Sequence, residues 1–117
     1  MFKSITDKEF CDKVREVLKT ESLKHCDIKR FLEDHFERSF SSISKRYKRC
    51  KKETIFAAYD RIRARNAKKL LMSKTCFKTQ YAIGFKNESY FSRWFRKHIG
   101  MNPETYRRNI YVSQDQR

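Results

Sequence analysis

Residues 84–108 decide the fold, and they read GFKNESYFSRWFRKHIGMNPETYRR. Asn87 is a typical helix N-cap residue, and the apolar residues that follow it recur at helical spacing. These apolar residues are Phe91, Trp94, Phe95 and Ile99. Gly100 predicts the end of this helix, and Pro103 predicts that another begins, since proline costs no hydrogen bond at the first helical position. The stretch therefore predicts a helix from Glu88 to Ile99 with a polar, basic outer side.

Apolar residues at helical spacing also predict three helices near the start of the chain. The first begins with a capping box, Thr6 to Glu9, and runs to about Thr20. The second has Asp27 as its expected N-cap and the third has Ser39, because both side chains can accept a hydrogen bond from the first helical turn.

Two more helices are predicted between these and residue 84. The fourth is the longest and runs from Thr54 to Met72, about 27 Å at 1.5 Å per residue. The fifth, Lys74 to Ala82, is shorter, and Phe77 and Tyr81 are its expected anchors in the core. The 117 residues include two glycines and one proline, too few turn-forming residues for an all-β chain. We therefore expect an all-α protein of about seven helices.

The positive charge of the chain is unevenly distributed. The chain has 29 Lys and Arg against 14 Asp and Glu, a net charge of +15. Residues 1–40 are neutral, with nine residues of each sign, so the whole excess lies in residues 41–117. Such an imbalance is typical of a protein that binds a polyanion such as DNA. A merely solvated basic surface is one alternative. A membrane surface is another, but it would need a basic helix whose apolar side is free.

Several classes of protein are excluded or disfavoured by the sequence. No run of about 18 apolar residues could span a membrane, and the N-terminus lacks the apolar region of a secretory signal. No catalytic constellation or phosphate-binding glycine loop is present, so we expect neither an enzyme nor a cofactor. The cysteines form no C-x-x-C pair, which favours reduced, partly buried thiols over a zinc site. They are Cys11, Cys26, Cys50 and Cys76.

A short helix, a turn and a helix with a basic outer side occur twice, over residues 27–50 and 77–99. An α-helix fits the major groove of DNA, where its exposed side chains meet base edges. Two such helices about 34 Å apart would enter one side of the duplex in successive turns. The fourth predicted helix has the right order of length to connect them. The pattern therefore predicts two helix-turn-helix units joined by a linker helix.

The stretch from Gly84 to Arg108 resembles the C-terminal pattern of AraC/XylS-type transcription regulators. That pattern runs G-F, a short polar spacer, S-Y-F-S-R-x-F-K-K and then G-x-x-P-x-x-Y-R, and nearly every element is present at the family spacing. Residues 43–49 are similar to the first recognition helix of the family, and residues 62–71 to its linker helix. The resemblance covers about Phe10 to Arg108. It implies the double helix-turn-helix fold of single-domain, MarA/SoxS-like members, with no domain for a small-molecule effector or for dimerisation.

Some positions depart from the family pattern. The first turn, His35 to Arg38, lacks the usual glycine, and Lys52 replaces a common glycine after the first recognition helix. Thr79 and Gln80 stand where Ile-Ala is usual. With these departures, the resemblance implies one DNA-binding domain. Its parts are a first helix-turn-helix subdomain over about residues 5–53, a linker helix over 54–72, a second subdomain over 73–111 and a tail over 112–117.

Arg93 is the first candidate for a base contact, because it lies mid-helix on the outer side and a guanidinium pairs bidentately with guanine O6 and N7. The resemblance implies that its position looks towards the major groove. The other candidate base contacts are Ser89, Ser92, Glu88, Lys45, Ser41 and Ser44. Glu88 could instead make no base contact and only stabilise its helix, because a carboxylate is favourable near the positive end of the helix dipole. Candidate phosphate contacts, which position the protein without reading sequence, are Lys48, Arg49, Lys86, Arg96, Lys97 and Arg107.

The sequence thus predicts a bacterial, cytoplasmic transcription regulator. It is expected to be an activator that binds double-stranded DNA as a monomer, with RNA polymerase as a further candidate partner. Two alternatives stay open. One is a weakly specific nucleic-acid-binding or architectural protein, suggested by the serine-rich first recognition helix. The other is a partner-binding module that acts on another regulator or on RNA polymerase, suggested by the neutral charge of residues 1–40.

Overall fold

A computed structural model describes residues 5–20 and 25–115 of the chain. The described residues form seven α-helices and no strand, which confirms the all-α prediction. The helices are α1 (Asp7–Thr20), α2 (His25–Phe36), α3 (Phe40–Lys51), α4 (Ile55–Leu71), α5 (Cys76–Ile83), α6 (Glu88–Ile99) and α7 (Pro103–Asp115).

Side chains that cap the first turn set several helix boundaries. The Ser39 hydroxyl accepts a hydrogen bond from the backbone N–H of Ser42 over 3.2 Å at the start of α3. Asn87 Oδ1 accepts one from the N–H of Tyr90 over 2.9 Å at the start of α6. Both predicted N-caps are therefore confirmed, and Pro103 is the first residue of α7 as predicted.

Other predicted boundaries are corrected. Asp27 is not an N-cap, because α2 already begins at His25 and the carboxylate lies inside its first turn, near the positive end of the helix. The helix α5 begins at Cys76, because Thr75 supplies the cap that stops it from starting at Lys74. At the other end of the chain, α7 is helical through residues 112–115, which the sequence assigned to a tail; residues 116–117 lie outside the described part.

The chain forms two compact units, residues 1–62 and residues 63–117, and the boundary between them lies inside α4. The first unit has the larger core, built from one side each of α1, α2, α3 and the first half of α4. Its buried residues are Phe10, Cys11, Val14, Leu18, Ile28, Leu32, Phe36, Ile43, Tyr47, Ile55, Ala58, Tyr59 and Ile62. The thiols of Cys11, Cys50 and Cys76 are free, and the side chain of Cys26 lies outside the described part.

The second unit has a smaller, more aromatic core. Phe91 and Phe95 are its fully buried aromatic residues, and Trp94 and Ile99 pack against them as the spacing predicted. The other buried apolar residues of this core are Ala67, Leu71 and Ile83. The ring of Phe85, in the turn before α6, lies 5.5 Å from that of Phe91, so the turn is joined to α6 through aromatic contacts.

The orientation of α5 is the main error of the sequence-based prediction. Phe77 and Tyr81, the expected anchors, are 61% and 77% exposed, whereas Thr79 and Gln80 are buried. The helix instead turns Ile83 into the core, and a 3.6-residue period places Thr79 and Gln80 on that same side. The Gln80 side chain partly satisfies its polar atoms there, because its Nε2 donates to the Phe85 carbonyl over 2.8 Å.

Each helix of both helix-turn-helix motifs is followed by a residue with positive φ. Glu37 (φ 54°) follows α2 and Lys52 (φ 63°) follows α3. In the second unit Gly84 (φ 93°) follows α5 and Gly100 (φ 99°) follows α6. Left-handed backbone after a helix satisfies its last carbonyl groups and is easiest for glycine. Both units therefore have left-handed residues after their helices, but only the second unit has glycine at these positions.

Candidate nucleic-acid interface

The predicted recognition helix of the second unit, α6, presents most of its predicted base-reading residues to solvent. Glu88, Ser89 and Arg93 are exposed, and Ser92 is half-buried. These four side chains line one shallow groove along the first two turns of α6. The opposite side of the helix is fixed by Phe91 and Phe95 in the core, so the direction of this surface is set by packing.

Arg93 is held in place by its own helix. Its guanidinium carbon lies 5.0 Å from the centre of the Tyr90 ring, and its Nε lies 3.4 Å from the Ser89 carbonyl oxygen. A cation over an aromatic face is favoured and loses little hydrogen-bonding capacity. Tyr90, which is 59% exposed, was missed by the sequence analysis, although its spacing of three residues from Arg93 on a helix is a usable signal.

A groove of about 490 Å³ continues from this surface towards the start of α7. Arg93 and Arg96 line it together with Glu104. The Cys76 thiol donates a hydrogen bond to Glu104 Oε2 over 2.7 Å. Burial, with the adjacent Glu104 carboxylate, raises the pKa of the Cys76 thiol to about 12. This thiol is therefore protonated at neutral pH, which makes it a poor nucleophile.

The predicted phosphate contacts of the second unit divide into two groups. Lys86, Arg96 and Lys97 are exposed on and beside α6, where their positively charged side chains can contact DNA phosphates. Arg107 is different, because its Nε donates to the Lys74 carbonyl over 3.2 Å and joins α7 to the loop before α5. A phosphate contact by Arg107 would therefore compete with its hydrogen bond to the Lys74 carbonyl.

Below this surface, a buried arginine supports the turn of the second unit. Arg63 is 5% exposed, and its Nη2 donates to the Ile83 carbonyl over 3.1 Å. Its guanidinium lies 4.6 Å from the centre of the Phe85 ring and 5.2 Å from that of the Trp94 ring. Arg63 therefore joins the end of α5 to α6, a role that the sequence pattern did not reveal because it depends on distant residues.

The predicted recognition helix of the first unit, α3, exposes hydroxyl groups and lysines. Ser41, Lys45 and Lys48 are exposed on α3, and Ser44 is half-buried. The helix is held on its other side by Ile43 and Tyr47, which are fully buried. All three predicted base contacts of α3 thus lie outside the core, but none of them is an arginine.

Two arginines of α3 are bound by an acidic residue of α1. Arg46 Nε lies 2.6 Å from Asp7 Oδ1, and Arg49 Nη2 lies 3.2 Å from Asp7 Oδ2. Hydrogen bonds from these two guanidinium groups lower the pKa of the Asp7 carboxyl below its usual value. Arg46 also lies over the Phe10 ring at 4.2 Å, so it clamps α3 to α1. Arg49, a predicted phosphate contact, therefore has a competing anion within its own unit.

No group of three or more His, Cys, Asp or Glu side chains within residues 5–20 and 25–115 is arranged to hold a metal ion. In the same part of the chain, no helix has the length and apolar character needed to cross a membrane.

Comparison with known proteins places this geometry in a family context. The sequence profile described as a helix-turn-helix domain matches residues 32–109. A transcriptional regulator of HTH type in the cgkA 5′ region of Pseudoalteromonas carrageenovora is 33% identical over 72 residues, which are 62% of this chain and 43% of that protein. The HTH-type transcriptional regulator YobQ of Bacillus subtilis (strain 168) is 42% identical over 52 residues, 43% of this chain and 22% of YobQ. The chain thus spans less than half the length of either relative.

Two solved structures are similar in fold. The C-terminal domain of AraT, a response regulator from Geobacillus stearothermophilus, has a TM-score of 0.75 at 21% identity, covering 86% of this chain and 84% of that one. A probable AraC family transcriptional regulator from Rhodopseudomonas palustris CGA009 has a TM-score of 0.69 at 22% identity, covering 86% of this chain and 96% of that one. At these identities the similarity shows the fold.

Proposed function

The chain belongs to the AraC-type family of helix-turn-helix, DNA-binding transcription regulators. We propose that it recognises a specific sequence in double-stranded DNA and activates transcription. The family and the fold are those of transcription regulators and not of enzymes. A net charge of +15 provides the general attraction to DNA phosphates. Specificity must then come from side chains that meet base edges, and α6 and α3 supply the candidates.

The presentation of Arg93 is the observation that carries this proposal. The guanidinium is exposed, mid-helix and supported by the Tyr90 ring at 5.0 Å, which leaves its terminal N–H groups for a ligand. In a major groove these groups would donate to O6 and N7 of one guanine. Ser89 and Ser92 would add adaptable contacts, and Glu88 would accept from a cytosine amino group.

The first recognition helix is proposed to enter a second segment of the major groove. Ser41, Ser44 and Lys45 lie on its outward side and would make fewer base-specific contacts than an arginine does. Lys48 would hold a phosphate beside them. One copy of the chain would then bind an asymmetric site of two short blocks about one helical turn apart, as a monomer in the bacterial cytoplasm.

The test is selection of sheared genomic DNA by the purified chain at about 0.2 M salt, where purely phosphate-driven binding is weak. We expect enriched promoter fragments that share an asymmetric motif of two blocks. A motif of one block would show that α3 only supports binding. The Arg93→Ala variant is the matched control, and it should lose the motif while still binding DNA at low salt. Absence of any enriched motif with the natural chain would contradict the proposal.

The direction of regulation needs its own measurement. Transcription from an enriched promoter is measured with purified RNA polymerase, with and without the chain. An increase is expected for an activator, and a decrease would show a repressor. A promoter in which both blocks are scrambled is the control, because it separates regulation through the site from general effects of a basic protein.

A weakly specific DNA-binding protein is the second candidate, and the composition of the α3 surface favours it. The outward residues of α3 are mainly serine and lysine, which discriminate poorly between bases. This candidate predicts a steep loss of affinity between about 50 and 200 mM salt with equal binding of enriched and random duplexes.

A further inference from the structure

The helix α5 exposes two aromatic rings that the proposed DNA-binding function leaves unused. Phe77 is 61% exposed and Tyr81 is 77% exposed. They are four residues apart, so they are neighbours on one side of the helix. Met72, just after α4, is 54% exposed. Three of the four large hydrophobic residues that are exposed in the described part of the chain thus lie within residues 72–81.

These rings are not needed to fold the helix. The inward side of α5 is formed by Thr79, Gln80 and Ile83, which are all buried. The helix therefore places two polar side chains inside and two aromatic side chains outside, the reverse of an ordinary amphipathic helix. Grouped apolar side chains on a surface mark interaction sites, because they are costly to leave in water.

The charge around the rings is positive. Lys78 lies between Phe77 and Tyr81 in sequence and is exposed, as is Lys74 before the helix. Residues 61–87 contain eight Lys and Arg and no Asp or Glu. Glu104 accepts a hydrogen bond from Cys76, whose side chain is half-buried. Phe77, Lys78 and Tyr81 together are called the α5 patch below.

We propose that the α5 patch docks a protein partner that presents an apolar pocket rimmed by Asp and Glu. The Phe77 and Tyr81 rings would fill the pocket, as aromatic residues do at the centres of protein interfaces, and Lys78 would pair with the acidic rim. Intact duplex DNA has the matching charge but its bases are stacked, so it offers these rings no pocket. A second copy of this chain also has a net charge of +15 and would be repelled.

In the test, the photo-crosslinking residue p-benzoylphenylalanine replaces Phe77 in the full chain. Cells that express this variant are irradiated, and the crosslinked products are mapped by mass spectrometry. The same residue at Glu16, which is exposed on α1, gives the background. We expect crosslinks at position 77 to fall on one partner protein, at an apolar pocket rimmed by Asp and Glu. Crosslinks confined to DNA or to the chain itself, or none above the Glu16 background, would overturn the proposal.

The crosslinked partner protein is then purified, and its affinity for the purified chain is measured. The double variant Phe77→Ser/Tyr81→Ser and the variant Lys78→Glu should each bind it at least tenfold more weakly, whereas Lys78→Arg should stay within twofold. All three should melt at the natural temperature, because these side chains are exposed. Unchanged affinity in the double variant would overturn the proposal. The affinity measurement contains no DNA and the genomic selection contains no partner, so failure of either proposal is seen separately.

Discussion

The two helix-turn-helix units meet the same backbone demand with different residues. After α5 and α6 the left-handed positions are glycines, Gly84 and Gly100, whereas after α2 and α3 they are Glu37 and Lys52. The left-handed conformation costs a residue with a Cβ about 1–2 kcal/mol, and glycine adopts it freely. Among the described residues, the first unit buries thirteen core residues and the second unit buries five. We therefore expect the larger core of the first unit to offset the backbone strain that glycine avoids in the second unit.

The units also differ in how they hold their cations. In the second unit the guanidinium of the exposed Arg93 lies over the neutral Tyr90 ring. In the first unit Asp7 binds both Arg46 and Arg49. We therefore expect α6 to read bases and α3 mainly to position the protein. The predictions that follow test these differences between the two units, from the largest expected effect to the smallest.

The largest effect is expected at the two recognition surfaces. Arg93→Ala should weaken binding of the selected duplex by about 1–3 kcal/mol, because a bidentate contact to guanine is lost. Lys45→Ala, the matched change on α3, should cost less than about 1 kcal/mol. Both are measured by fluorescence anisotropy at fixed salt, with a random duplex as the control. Equal losses for the two variants would show that the two helices read the site equally.

The glycine comparison is tested by opposite substitutions after the two recognition helices. Gly100→Ala should destabilise the fold by about 1–2 kcal/mol, since nothing lies within 4 Å of an added Cβ and only the backbone conformation is strained. Lys52→Gly should stabilise it by about 0.5–1 kcal/mol by removing the same strain. Urea unfolding measures both free energies. A loss of stability in Lys52→Gly would mean that the first unit is not strained there.

The polar residues buried in the second core give the third prediction. Thr79 is fully buried, and its hydroxyl has no hydrogen-bond partner among the described residues. Thr79→Val keeps the shape of the side chain and removes this hydroxyl, so the free energy of unfolding should rise by about 1 kcal/mol. Thr105→Val, at a half-buried position on α7, is the control and should change it little. A destabilised Thr79→Val variant would reveal a partner for the hydroxyl.

The smallest effect is expected at Asp7. Asp7→Asn frees Arg49 for a phosphate and should raise DNA affinity two- to fivefold at about 0.1 M salt. Asp12→Asn makes the same change in net charge but releases Lys51, which is mostly buried, and should raise it less. Equal effects would show that only net charge matters.

The ion pairs of Asp7 with Arg46 and Arg49 also make the stability of the fold depend on pH. The pKa of Asp7 is lowered in the folded chain by Arg46 and Arg49. The pair therefore stabilises the fold at pH above the ordinary carboxyl value of 3.8, and this contribution is lost as the pH falls through the lowered pKa. Melting curves of Asp7→Asn and the natural chain should converge in that acidic range and differ above it.

The sequence predicts best what is decided locally. The caps at Ser39 and Asn87 and the start at Pro103 depend on a few neighbouring residues, and all were correctly predicted. The orientation of α5 was predicted wrongly because two stripes fit its period. One is the aromatic pair Phe77 and Tyr81, and the other is the side of Ile83. Hydrophobicity favours the first stripe, while contact with the core selects the second.

Contacts across long sequence separations could not be predicted. Asp7 is 39 residues from Arg46, and Arg63 is 20 residues from Ile83, so no local pattern relates them. The contact between Tyr90 and Arg93 is different, because it is local. The two residues are one helical turn apart, so the sequence alone could have indicated it. The candidate base contacts themselves could be placed on outward helix sides from periodicity alone, but the competing partners of Arg49 and Arg107 could not.

The most direct test of base reading by α6 is a double-mutant cycle between Arg93→Ala and a guanine of the selected site replaced by 7-deazaguanine. The modified base lacks the N7 acceptor but keeps its Watson–Crick pair, so it removes one of the two proposed contacts. We predict that each change alone weakens binding and that the modified base has little further effect on the Arg93→Ala variant. Additive losses at every guanine of the site would contradict base reading by Arg93.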